Sequence, residues 1–217
     1  WGHFPHPRLF PSPVQILSLV KAGLPLGLAA LSAQIYSRLD TVLVGRFMNP
    51  LAVGWYSAAS VLVIAASQLV IVPLMVAVFP TLSRLRSRSP EFRRTSLTIT
   101  ASVIATTFAV VALTYIVSSP LIHLVYGPEF APAVQVLRLL ILSLPFAALS
   151  AFFYKLLIIL GKQVSYLKIS LLGALINIVA NLTLIPLLGM TGAALAAILT
   201  QICLTLFYGL ALKKYWP

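Results

Sequence analysis

Three carboxylates (Asp40, Glu91 and Glu129), three histidines (His3, His6 and His123) and one thiol (Cys203) are all the acidic, imidazole and sulfhydryl groups in 217 residues. No two carboxylates lie close enough in sequence to suggest a general acid–base pair. HExxH, nucleophile-elbow and P-loop patterns are absent. Cys203 sits inside an apolar run, with neither a CxxC partner nor a disulfide framework. His3 and His6 fall in an opening segment rich in Pro and aromatics, and His123 falls at the end of an apolar run. The expectation is a chain that is not an enzyme, does not hydrolyse ATP, and needs no metal or cofactor.

The polar groups that remain are embedded in long apolar stretches, where each is costly and faces protein or a watery cavity. Gln34, Ser37, Arg38 and Thr41 recur at i, i+3, i+4 and i+7 and so share one helical stripe. Arg38 has two readings. It presents positive charge to an anionic substrate within the bundle, or it reaches along its stem to the outer headgroups. Asp40 lies two positions on, about 200° around the helix, so it does not face Arg38. Its expected role is structural, holding the turn between the first two helices with Arg46 or the backbone N–H groups of the second helix as partners. Proton coupling is the other reading. Ser60, Ser67 and Gln68 lie deeper in the second run, while Arg138 and Lys155 sit near opposite ends of the fourth. Ser170, Gly173, Asn177 and Asn181 share a face of the fifth run, and Gly192, Ala196, Thr200 and Cys203 share a face of the sixth. Small residues let helices approach and Asn bonds across them. Both stripes therefore read as packing faces, with Asn177 and Asn181 also candidates for a cavity.

What must position these residues follows from composition. Hydrophobic residues make up 60% of the chain and charged residues 8%, with a mean hydropathy of +1.04. A soluble domain carries roughly 25% charged residues, and lipid is the solvent left for so much apolar surface. Six apolar runs span about 16–44, 55–80, 96–118, 133–160, 166–188 and 191–212. Each reaches the ~20 residues needed to cross the hydrocarbon core, and none alternates with the period of a strand. The expected fold is an all-α membrane protein of about six transmembrane helices, with 1–14 a tail or linker, 15–214 the bundle and 215–217 a C-terminal tail.

The net charge of +12 is distributed along this topology. Arg8, the cluster Arg84, Arg86, Arg88, Arg93 and Arg94, then Lys162, Lys168, Lys213 and Lys214 all fall on one side of the membrane, whereas the opposite loops hold only Arg46 and Glu129. The positive-inside rule makes the first side, with both termini, cytoplasmic. The arginine cluster reads as a topology anchor, with binding of acidic lipid headgroups as the alternative. Nucleic acid is not an expected partner. Pro25, Pro73, Pro145 and Pro186 each remove a helical hydrogen bond and allow a bend. The start at Trp1, without signal-peptide features, suggests a piece of a longer protein.

Three segments together carry a family resemblance. RLDTVLVGRFMNPLAVGWYSAAS resembles the link between the seventh and eighth helices of polysaccharide-unit flippases, VPLMVAVFPTLSRL the end of their eighth helix, and NIVANLTLIPLLGMTGAALAAILT their last two helices. The chain thus resembles the C-terminal half of oligosaccharide flippases of the multidrug/oligosaccharidyl-lipid/polysaccharide exporter superfamily. The resemblance implies two six-helix bundles around a central cavity, so that an N-terminal half would be a partner. It also implies translocation of a polyprenyl-diphosphate-linked glycan across the cell (inner) membrane. A diphosphate would suit cationic cavity residues, which makes Arg38 the first substrate-path candidate, followed by Gln34, Gln68, Arg138, Asn177 and Asn181. A cation-coupled exporter of small organic molecules is the alternative and would rely on Asp40. So is a half-transporter that cannot act alone.

Overall fold

The computed structural model describes residues 13–85 and 89–215. His3, His6 and Arg8 of the N-terminal segment, Arg86 and Arg88 of the arginine cluster, and the side chains of Ser37 and Arg84 lie outside the described residues, as does most of each expected tail.

Asparagine and proline at the first turn set the start of the second helix. Asn49 Oδ1 accepts from Ala52 N at 2.9 Å while Pro50 occupies the first turn, where its missing N–H costs nothing. Ser89 and Pro90 do the same for the third helix, with Phe92 N donating to Ser89 Oγ at 3.1 Å. The result is α1 (Pro13–Phe47), α2 (Pro50–Arg84) and α3 (Pro90–Tyr126). α4 (Ala131–Leu140) and α5 (Leu144–Ile159) come next, and α6 (Gln163–Leu188) and α7 (Met190–Tyr215) complete the chain. α6 and α7 turn through Gly189, whose φ of 60° suits a residue without Cβ.

The fourth apolar run, expected as one helix over 133–160, is two. Pro145 has no N–H to give to Ile141 O, four residues back. Leu144 N donates to Ile141 O instead, closing a 3-10 turn over Ile141–Ser143. Apart from this break the α4–α5 unit reads as one crossing, and its apolar stretch is the most enclosed of the spans.

The helices form a ring in which α1 packs on α2 and α6, α6 on α7, and α7 on α4 and α5, while α2 and α3 pack on the α4–α5 unit from the other side. Two apolar clusters fill the interior. One lies near the α1–α2 and α6–α7 turns and includes Val44, Leu137, Ile141 and Ile185. The other lies near the α5–α6 turn and includes Phe92, Phe152, Leu157 and Tyr208. The outside is apolar as well, with Leu69, Ile116, Leu124 and Leu187 among the most exposed side chains. Among the described residues five spans are long and apolar enough to cross a membrane: 50–77, 90–126, 128–159, 163–188 and 190–215. α1 is 35 residues long and carries Gln34, Arg38 and Asp40 in its second half. The chain is an all-α, multi-pass membrane bundle.

Many hydroxyls inside the bundle are satisfied locally. Ser60 Oγ donates to Tyr56 O, Thr107 Oγ1 to Val103 O and Thr200 Oγ1 to Ala196 O, each one turn back along its own helix. Close helix approach depends on glycine at two points. A Cβ at Gly173 would strike the Leu204 side chain, and one at Gly192 would strike the Leu184 carbonyl. A backbone obstacle cannot rotate away, so Gly192→Ala is expected to destabilise the bundle by about 1–3 kcal/mol. Gly23→Ala, which meets nothing, should be neutral or slightly stabilising. Thermal unfolding of both variants in detergent checks this pair.

Candidate functional site

Asp40 is eight residues before Met48 at the end of the first crossing, and Tyr56 is eight residues after it. The antiparallel return of α2 therefore brings the two level, and Tyr56 OH donates to Asp40 Oδ2 at 3.2 Å. The packing of α1 on α6 supplies the second partner, since Asn181 Nδ2 donates to Asp40 Oδ1 at 2.7 Å. Asn181 Nδ2 also contacts Asn177 O at 2.9 Å and Asn177 Oδ1 at 3.0 Å, one turn away on α6. Asn177 Nδ2 in turn donates to Thr200 Oγ1 on α7 at 3.3 Å. Asp40 is 8% exposed, Asn177 1% and Asn181 0%. A polar chain thus crosses the bundle from α2 through α1 and α6 to α7. Further along the same α1–α6 contact, Ser32 Oγ and Ser170 Oγ lie 2.8 Å apart and both bond to Ala29 O.

The partner expected for Asp40 is corrected here. Arg46 is exposed at the end of α1, and the carboxylate is held by Tyr56 and Asn181 instead of by the turn between α1 and α2. The reason is helical phase. Asp40 points inward at a level where α2 and α6 are its neighbours, and Arg46 lies on the outer surface.

A cavity of about 150 Å³ opens beside this chain. Asp40, Tyr56, Ser60, Asn177, Thr200 and Gln201 line it, together with Leu140 and Ser143 at the Pro145 break. The 3-10 turn therefore shapes one wall. Among the described residues no three His, Cys, Asp or Glu side chains come together as metal ligands.

The other sequence candidates sit elsewhere. Gln34 and Arg38 are exposed one turn apart on α1, and Gln68 is exposed on α2. Arg138 is half-buried between α4 and α3, its Nε donating to Ser118 Oγ at 2.8 Å and its guanidinium 5.1 Å from the Tyr115 ring centroid. Lys155 Nζ stands 5.7 Å from the Tyr154 ring. Glu91 and Glu129 are exposed at helix starts, and Trp55 Nε1 donates to the Glu129 carbonyl at 3.0 Å. The structure thus brings together Asp40, Asn177 and Asn181 from the candidate set with Ser60 and Thr200, also singled out in the sequence, and adds Tyr56, Ser143 and Gln201. Of these, Tyr56 had a sequence signal, its symmetric distance from Asp40 about the first turn.

Removing a donor from a buried acceptor costs more than the bond itself contributes. Asn181→Leu, which leaves Asp40 Oδ1 without its donor, should destabilise the protein by about 1–3 kcal/mol or more, and Tyr56→Phe should do so by less, with its longer contact. Denaturation followed by tryptophan fluorescence measures both.

A family model described as "Polysaccharide biosynthesis protein" matches residues 5–135, more than half of the chain. Among solved structures, the chain is similar to an outward-facing multidrug resistance MATE family transporter of the MOP superfamily, with a TM-score of 0.71 and 17% identity. That match covers 88% of this chain and 43% of the transporter, so the chain spans less than half of the transporter's length. No curated protein matches the sequence. At that identity the likeness speaks to fold, and the family model speaks to kinship: the chain belongs to the polysaccharide biosynthesis protein family and folds as a helical bundle of the MATE type.

Proposed function

We propose that this bundle is one half of a membrane transporter that flips a polyprenyl-diphosphate-linked oligosaccharide for cell-surface polysaccharide synthesis. The observation that carries the reading is Arg38, a cation exposed on the shaft of α1 with Gln34 one turn away. Polar side chains at such positions face water or a second bundle in preference to acyl chains. A guanidinium offers paired donors suited to a phosphate. Membership of a polysaccharide biosynthesis family supports a glycan-bearing substrate, and coverage of less than half of a related transporter fold fits a second bundle facing α1. Gln68 on α2 lies roughly 8 Å deeper than Gln34 by helix rise and is a second substrate-path candidate. Asn177 and Asn181 are committed to Asp40, and Arg138 to the contact between α3 and α4.

A second reading has its own support. The structural similarity is to a multidrug transporter, and a buried acid beside a cavity suits a cation-coupled exporter of small organic molecules. Drug efflux from cells expressing the protein separates the two.

Surface glycan in flippase-deficient cells tests the first reading. A full-length transporter carrying this bundle should restore it, and Arg38→Ala should cut export by at least about tenfold at equal membrane abundance, since a charge-assisted bond contributes roughly 1.5–3 kcal/mol. Unchanged export would remove Arg38 from the substrate path. The proposed orientation has a separate check. Green fluorescent protein fused after Tyr215 should fluoresce and alkaline phosphatase fused there should be inactive, as for a cytoplasmic C-terminus.

A further inference from the structure

A further cavity, of about 440 Å³, lies between α2 and α5, away from Asp40. Ile71, Met75, Val76 and Pro80 are among its α2 lining, and Tyr154 and Lys155 form its α5 lining. Met75 is buried and forms the floor, whereas Val76 is 69% exposed at the rim. The Tyr154 ring is held in place by stacking on Tyr166, with 4.9 Å between centroids. α2 and α5 run in the same direction, since α3 carries the chain back between them. Pro80 and Lys155 each fall about one turn before the end of their helix, so the charge stands at one end of the groove and Ile71 at the other. From Ile71 to Pro80 the groove follows α2 for about 13 Å by helix rise. One leaflet of hydrocarbon, half of ~30 Å, is about as deep.

We infer that this groove is a binding site for one anionic phospholipid of the cytoplasmic leaflet, with its phosphate at Lys155 and an acyl chain lying along α2 toward Ile71. Length, polarity and direction agree with that occupant. The apolar lining runs for one leaflet, and the ammonium stands at the end nearer the α5–α6 turn, where Lys162 and the basic end of α7 mark the proposed cytoplasmic side. That leaflet carries the anionic lipids, and basic pockets between helices on this side suit their headgroups. Tyr154 and Tyr166 give the aromatic wall expected at headgroup depth. Any acyl chain fills an apolar groove about equally well, so selection falls to the contact between phosphate and Lys155. A polyprenyl tail is longer than one leaflet and would overrun the groove. The site rests on the proposed orientation, which the fusions after Tyr215 test separately, and it needs no glycan, so its failure would leave the flippase reading standing.

Native mass spectrometry of the purified full chain in detergent counts the lipids it holds. We expect one retained dioleoyl phosphatidylglycerol per chain, with phosphatidylcholine of the same chains held at least about tenfold more weakly. Lys155→Gln should abolish that preference and Lys155→Arg should keep it. Val76→Trp, which fills the groove and leaves the charge, should weaken phosphatidylglycerol binding at least about fivefold. Lys168→Gln, on an exposed lysine of α6, should change nothing. Phosphatidylglycerol should also raise the Tm of the wild-type protein more than phosphatidylcholine does, which reads the site even if a variant fails to fold. Equal retention of the two lipids with equal Tm values would overturn the inference, as would a preference that survives Lys155→Gln. Competition by glycerol phosphate, which has the head and no chains, would show an anion site only. Displacement of phosphatidylglycerol by polyprenyl phosphate at lower concentration than by unlabelled phosphatidylglycerol would give the groove to the transported lipid; both outcomes refute the phospholipid site.

Discussion

A carboxylate withdrawn from water, with no basic side chain beside it among the described residues, constrains everything packed around it. Asp40 can stay in the bundle only while Tyr56 and Asn181 reach it, and those reaches fix three helices relative to one another. α2 must return antiparallel to α1 at the level that brings Tyr56 alongside. α6 must lie against α1 closely enough for a 2.7 Å bond. α7 must follow α6 tightly enough for Thr200 to meet Asn177, an approach that Gly192 permits against the Leu184 backbone. In a bilayer, apolar burial discriminates weakly between alternative helix packings, because acyl chains are as apolar as Leu. Polar contacts and small residues then carry much of the specificity, and here they converge on one group.

The break before Pro145 belongs to the same layer. A continuous helix through 141–143 would carry its side chains past the cavity in regular phase. The 3-10 turn changes that phase, and Ser143 comes to line the cavity while bonding to Leu140 O at 2.7 Å. Apolar clusters lie toward both ends of the bundle, one under the α1–α2 turn and one near α5–α6. Polar chemistry is concentrated between them, in the chain of contacts from Tyr56 to Thr200.

Much of this was legible in the sequence, and the exceptions have physical causes. Six apolar runs, their order and the opposite facing of Arg38 and Asp40 follow from hydropathy and a 100° step. Gly192 and the Asn177/Asn181 stripe were legible as packing residues for the same reason. The partner of Asp40 was not, because it depends on which helices α1 touches, and α6 is 141 residues away in sequence at the contact. A one-dimensional pattern gives a residue's face but not its neighbour. The split of the fourth run was half legible: Pro145 marks a lost hydrogen bond, but whether the chain bends smoothly or closes a 3-10 turn depends on the packing of Ile141 and Leu144 in the core. The contacts of Arg138 with Ser118 and Tyr115 were not legible either, because a cation near a helix end has the same sequence signature whether it meets a ligand or packs against its own bundle.

The contact between Asp40 and Asn181 is the point at which all of this can be tested. Exchanging the two side chains, as Asp40→Asn with Asn181→Asp, moves the carboxylate across a single hydrogen bond while keeping both groups and the charge. Unfolding free energies of the two single variants and the exchange variant, each compared with wild type in detergent, form a double-mutant cycle. Direct contact predicts that the exchange variant recovers stability relative to the sum of the single changes, with a coupling above about 1 kcal/mol. Effects that add to within about 0.5 kcal/mol would show that the two residues do not touch, and the polar layer as described here would be wrong.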